Sequence, residues 1–116
     1  METGKPVSVK NAEHYKWGQS NDGWHLLKTA NLSVIEECMF AGNAEGLHFH
    51  KKAEQLFYIL SGEAVFETGK DIYYLSRGES VHVLPGIVHK ISNNGPSELH
   101  FIVISSPAAH GDRIDV

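Results

Sequence analysis

Apolar residues along this chain recur in short runs or in strict alternation, and the 3.6-residue period of an amphipathic helix is scarce. Nine segments read as strands: Trp24–Thr29, Leu32–Phe40, Gly46–His50, Gln55–Leu60, Glu63–Thr68, Asp71–Leu75, Ser80–Leu84, Val88–Ser92 and Glu98–Ser105. Turn-forming clusters punctuate them, among them Ser61-Gly62, Thr68-Gly69-Lys70-Asp71, Ser76-Arg77-Gly78-Glu79 and Asn93-Asn94-Gly95-Pro96. Many short strands at close spacing predict a sandwich or a barrel. Most strands are apolar on both faces, which fits a closed or double-layered sheet better than an open one. No repeat, low-complexity tract or linker divides the chain, so residues 1–116 are expected to form a single domain. Residues 1–20 are expected to form an N-terminal strand or arm, and Ser106–Val116 a loose tail or a strap across the domain.

Size and composition narrow the function classes. A chain of 116 residues suits one core. The hydrophobic share of 41% and charged share of 21% are ordinary for a globular protein. A net charge of -4 implies no strongly basic face, so nucleic acid is not an expected partner. No apolar run approaches the roughly 20 residues of a membrane span. The first residues lack the apolar stretch of a signal peptide, and a cytoplasmic, membrane-free protein is expected. The single cysteine, Cys38, permits no internal disulfide and reads as a small buried apolar group. Eight histidines are the unusual feature.

Two of them, His48 and His50, stand at i and i+2 on a predicted strand and therefore share a face, with Phe49 opposite. Two neutral imidazoles so placed can bind one metal ion. Glu54 and Gln55 follow, either of which could add an oxygen ligand. A second segment, Gly78-Glu-Ser-Val-His-Val-Leu-Pro-Gly-Ile-Val-His-Lys-Ile-Ser-Asn93, delivers His89 just after a Pro85-Gly86 turn.

These two segments resemble the paired motifs of the cupin superfamily. Gly42, five residues, His48-Phe49-His50 and Gly62 match the first motif, and counting back six residues from Gly62 selects Gln55 as the ligand where the family has Glu. Glu54, with a three-residue spacer after His50, is the competing choice. Gly78, Pro85, Gly86, His89 and Asn93 match the second motif, with Leu84 in the family's proline slot. The resemblance implies an all-β fold, an antiparallel double-stranded β-helix of the jelly-roll, cupin-type barrel. It also implies one divalent metal ion held by His48, His50, Gln55 and His89, and a homodimer in which Val7–Trp17 could pair across the interface.

The amide matters for the chemistry. Three imidazoles and a neutral amide leave the ion its full double charge, which favours Lewis-acid work and an anionic substrate. Zn, Ni or Mn is expected ahead of Fe, although ligands alone do not fix the metal. Glu36 and Glu37 are adjacent on one strand, so alternation should turn one of them inward as a general base. His100, on the last long strand, is a further catalytic candidate. Phe57 shares the face of Gln55 and should line the cavity, and His82 is a second lining candidate. His14, His25 and His110 read as surface residues, and Lys51 and Lys52 as a solvated loop.

Among cupin activities, the pattern implies a non-redox metalloenzyme of isomerase, lyase or cyclase type. Its substrate would be a small sugar, uronate or related oxygenated acid. The Gln-for-Glu change is similar to that of a few cupins acting on unsaturated uronates or cyclising polyketides. The alternatives are an Fe(II)-dependent dioxygenase and a non-catalytic small-ligand binding or sensing protein.

Overall fold

The computed structural model describes residues 4–109 and 111–116, and His110 lies outside them. Among the described residues there is no helix. Eleven strands form two sheets. The larger contains β1 (Glu13–Trp17), β2 (Asn21–Lys28), β3 (Ser33–Met39), β5 (Glu54–Ser61), β8 (Ser80–Val83) and β10 (Leu99–Ser106). Its order is β1-β2-β3-β10-β5-β8. The smaller contains β4 (His48–His50), β6 (Ala64–Thr68), β7 (Ile72–Leu75), β9 (His89–Ser92) and β11 (Arg113–Asp115), in the order β11-β4-β9-β6-β7. All pairings are antiparallel, and the two sheets make the double-stranded β-helix.

Alternation sorts the inward residues into layers. Met39 opposes Leu99 at one end, then Phe101 lies between Glu37 and Ile59. Val103 comes next, between Ile35 and Phe57, and Ser105 last, between Ser33 and Gln55. The first layers are dry, with Met39, Ile59, Leu99 and Phe101 fully buried beside Phe66 and Ile91 from the smaller sheet. Burying each such side chain is worth roughly 1.5–3 kcal/mol. Along β3, β5 and β10 the inward positions then turn polar at Ser33, Gln55 and Ser105, so one end of the barrel is a packed plug and the other holds the cavity.

Both termini are tied to this frame. Glu13–Trp17 pairs with β2 of the same chain and forms the edge of the larger sheet. The reason is local: β1 and β2 form a hairpin through a turn in which Gly18 and Ser20 both adopt positive φ. The C-terminal segment is a strap. Asp112 accepts the backbone N–H groups of Lys51, Lys52 and Ala53 at 3.0–3.2 Å, and Arg113–Asp115 then pairs with β4. Gly62 closes β5 at φ 90°, where a Cβ would lie 2.6 Å from the Glu98 carbonyl oxygen, so only glycine fits this corner.

Candidate metal centre

His48 and His50 lie on β4, and His48 is the direct cross-strand partner of His89 on β9. All three are buried, and one ligand nitrogen from each lies within 4.8 Å of the others, so the triad could hold one metal ion. Their orientations are fixed from behind. The Nδ1 atoms of His48 and His89 each sit 2.8 Å from a backbone carbonyl, that of Gly46 and that of Ile87. The carbonyls fix Nδ1 as the protonated atom and leave Nε2 as the free donor. His89 Nε2 is buried without a hydrogen-bond partner. The His89 ring stacks on Phe66 at 5.7 Å and meets the edge of Phe57 at 5.8 Å. Burial pushes the His48 imidazole down to about 4 and lowers His50 and His89 as well, the neighbouring His89 charge adding to the effect at His50. Neutral imidazoles at neutral pH are ready to bind a cation without first losing a proton.

The structure places Gln55 and Glu54 on opposite faces of β5. Gln55 is 6% exposed and lines the cavity. Its Nε2 donates to Ser105 Oγ at 3.0 Å, which leaves Oε1 buried with no partner. An orphaned amide oxygen costs about 1–3 kcal/mol, and a cation beside it would repay that cost. Glu54 instead lies outside the barrel, 2.8 Å from His82 Nε2. The triad His48, His50 and His89 could therefore hold a divalent ion, and the unpaired Gln55 oxygen in the same cavity is a candidate fourth donor. Gln55→Ala is expected to lower metal occupancy several-fold more than Glu54→Ala, measured by elemental analysis of dialysed protein. The reverse ranking would remove Gln55 from the site.

The cavity beside these groups has a volume of about 490 Å³. Ser33, Ile35, Glu37, Phe57, Val103 and Ser105 come from the large sheet, and Glu45, Ala108, Ala109 and Arg113 from the loops and the strap. Tyr15 reaches in from β1, with its hydroxyl 3.4 Å from Glu37 Oε2. It can do so because its cross-strand neighbour is Gly23, where a Cβ would overlap the Tyr15 ring. Burial, then the charge of Glu45, pushes the Glu37 carboxyl up to about 8, against the Tyr15 hydrogen bond and Arg113. Glu45 rises to about 7, again through burial, opposed by the Ile91 N–H and Arg113. The carboxyl of Glu37 is ringed by protein yet faces a cavity that admits water, which moderates its upward shift.

Phe57 and Gln55 line the cavity, the three histidines come together, and of the pair Glu36 and Glu37 it is Glu37 that faces inward. Four other placements are corrected. Glu36 points to the outer face of β3, because alternation from the inward Glu37 leaves it no other side. His100 shares the outer face of β10, 3.7 Å from Cys38 Sγ, since Phe101 and Val103 take the inward positions. His82 faces outward from β8 toward Glu54. His25, expected at the surface, lines the cavity with its ring 4.9 Å from that of Tyr15. Tyr15, Glu45 and Arg113 carried no local signal. Alternation along β2 sets His25 on the face opposite Trp24, but the other three depend on which distant segments close the barrel.

A family model described as Cupin domain matches residues 36–105. An oxalate-binding protein of Thermotoga maritima is 36% identical over 64 residues, which are 54% of this chain and 52% of that protein. The match thus spans about half the length of that relative. An RmlC-like cupin of Shewanella frigidimarina superposes with a TM-score of 0.81 at 22% identity, covering 91% of this chain and 93% of the other. KdgF from Halomonas sp. superposes with a TM-score of 0.79 at 17% identity, covering 87% and 93%. At these identities the likeness to both solved structures is one of fold.

Proposed function

The chain belongs to the cupin family, and from that membership we propose that it is a non-redox metalloenzyme of isomerase, lyase or cyclase type acting on a small sugar, uronate or related oxygenated acid. The observation that carries this reading is the uncharged donor set, three imidazoles and the orphaned Gln55 oxygen, beside a cavity with a protonatable carboxyl. A divalent ion held there, Zn, Ni or Mn ahead of Fe, would supply Lewis-acid polarisation of a chelating carboxylate or hydroxyl–carbonyl pair.

The chain's own residues define what else can happen. Arg113 lines the cavity and offers a guanidinium to a substrate carboxylate. Ile35, Val103 and Ala108 narrow the cavity with apolar surface and limit its water. Glu37 has an ordinary carboxyl pushed toward neutrality, the condition under which one group can both accept and return a proton near pH 7. Tyr15 steadies that carboxyl by donating to Oε2. Proton movement at a carbon or ring oxygen of the bound acid is the step these groups support.

The oxalate-binding relative favours a second reading, retention of a small dicarboxylate without turnover. One experiment separates the readings. Metal-loaded protein is screened by thermal shift against sugar acids, uronates and small dicarboxylates, and every binder is followed by NMR for product and by an oxygen electrode. Product without oxygen uptake is the expected result. Binding without product would favour the second reading, and oxygen uptake would replace both with a dioxygenase.

A further inference from the structure

We propose that Cys38, Glu98 and His100 form a second metal site on the outer face of the larger sheet, one that takes a single borderline-soft divalent ion such as zinc. Cys38 on β3 and His100 on β10 are direct cross-strand partners, so the sheet itself sets their spacing. Glu98 stands two residues before His100 and reaches the same imidazole nitrogen. Cys38 Sγ lies 3.7 Å from His100 Nε2, and Glu98 Oε1 lies 3.4 Å from it. The three ligand atoms are all within 4.8 Å of one another.

The Cys38 thiol can donate to His100 Nε2 at 3.7 Å, and the Glu98 carboxylate lies 3.4 Å from the same nitrogen. A cation that takes the place of the thiol proton would be shared by all three ligand atoms. Zinc bonds of about 2.3 Å to sulfur and 2.0–2.2 Å to nitrogen or oxygen imply tetrahedral ligand separations of roughly 3.3–3.6 Å. The observed separations are close to those edges.

The local charges point the same way. Burial, then the negative charges of Glu98 and Asp22, push the Cys38 thiol up to about 11. Carboxylates that disfavour a bare thiolate favour a cation bound to it, and the cation displaces the thiol proton. Lys16 opposes this weakly, being paired to Asp22. Cys38 forms the buried floor, while the Glu98 side chain is 53% and that of His100 32% exposed. The outer side is therefore left for entry and for water as a fourth ligand. Thiolate, imidazole and one carboxylate select zinc-like ions over magnesium, calcium or manganese. The site is separate from the cavity, since Cys38 and the inward Glu37 occupy opposite faces of β3.

Cobalt(II) tests this on the intact chain without reference to activity. The chain has one cysteine, so any sulfur-to-cobalt charge-transfer band reports on Cys38 alone. The band should appear, saturate within two equivalents per chain because the barrel triad also takes up cobalt, and vanish on adding excess zinc. Cys38→Ser should abolish it and lower the bound zinc from two ions per chain to one. His100→Ala and Glu98→Gln, which keep the thiol, should each weaken it at least about tenfold. No band in excess cobalt, or a band indifferent to both of those variants, would overturn the site. Should Cys38→Ser fail to fold by circular dichroism, the other two variants still decide the matter.

Discussion

His89→Ala is expected to abolish metal binding in the barrel while leaving the chain folded. His89 is the arm contributed by β9, directly opposite His48 on β4. Its ring is 1% exposed and is clamped between Phe57 and Phe66, and the Ile87 carbonyl fixes its tautomer. The donor atom is thus held before any ion arrives, which lowers the ordering cost of binding. Truncation removes that donor and opens a void against two phenyl rings. The void costs the metal-free fold on the order of 2–4 kcal/mol. The metal effect is separable from this loss. At a metal concentration about 1,000 times Kd, the intact site should gain about 4.1 kcal/mol of stability, and the variant none. The measurement is a denaturant titration with and without zinc, both chains carrying Cys38→Ser so that the outer cluster is silent. Equal stabilisation by zinc in the two chains would show that the triad is not the metal site.

The sequence made the barrel and the paired histidines legible because their signals are local. His48-x-His50 shares a face through the two-residue period of a strand, whereas the preference for Gln55 over Glu54 came from the resemblance to the cupin motif counted back from Gly62. The structure adds the physical reason for that choice: Ser105 takes the amide N–H and turns the oxygen inward. The same two-residue period separates Glu36 from Glu37, but it gives only opposition and not direction. Direction came from register, with Glu37 facing in beside Phe101 and Ile59. His100 had been a catalytic candidate for its position on a central strand. Its phase relative to buried Phe101 and Val103 excludes it from the cavity and gives it to Cys38. Arg113 was hidden more deeply. It lies in what reads as a tail, and only the capping of Lys51–Ala53 by Asp112 shows that the tail is a wall of the cavity. Tyr15 depends on a missing side chain, since Gly23 opens the space through which its ring passes.

Glu37→Gln should leave metal content unchanged and lower turnover about 10²–10⁴-fold on the substrate found by screening, the usual worth of a positioned acid or base. Glutamine keeps the shape and can still accept from Tyr15, so packing changes little while proton transfer is lost. If Glu37 acts as the base, kcat/KM should rise with pH through its pKa, and the variant should lose that rising limb. Unchanged turnover with an unchanged profile would remove Glu37 from the chemistry. A second readout needs no substrate. The Glu37 carboxyl rises from 4.5 to about 8 in the fold, so between these values the native chain holds a proton that the unfolded chain has released. Stability from this group is therefore fully present below about 4.5 and is lost as pH rises through about 8. Each pKa unit corresponds to about 1.4 kcal/mol, an upper bound here because the cavity admits water. The variant carries no such proton. Metal-free Glu37→Gln should accordingly gain on the parent from pH 5 to pH 9, a difference that includes the repulsion between Glu37 and Glu45 that the variant removes. A stability difference that does not move with pH would mean the carboxylate is solvated in the native chain and poorly placed to hold a proton for catalysis.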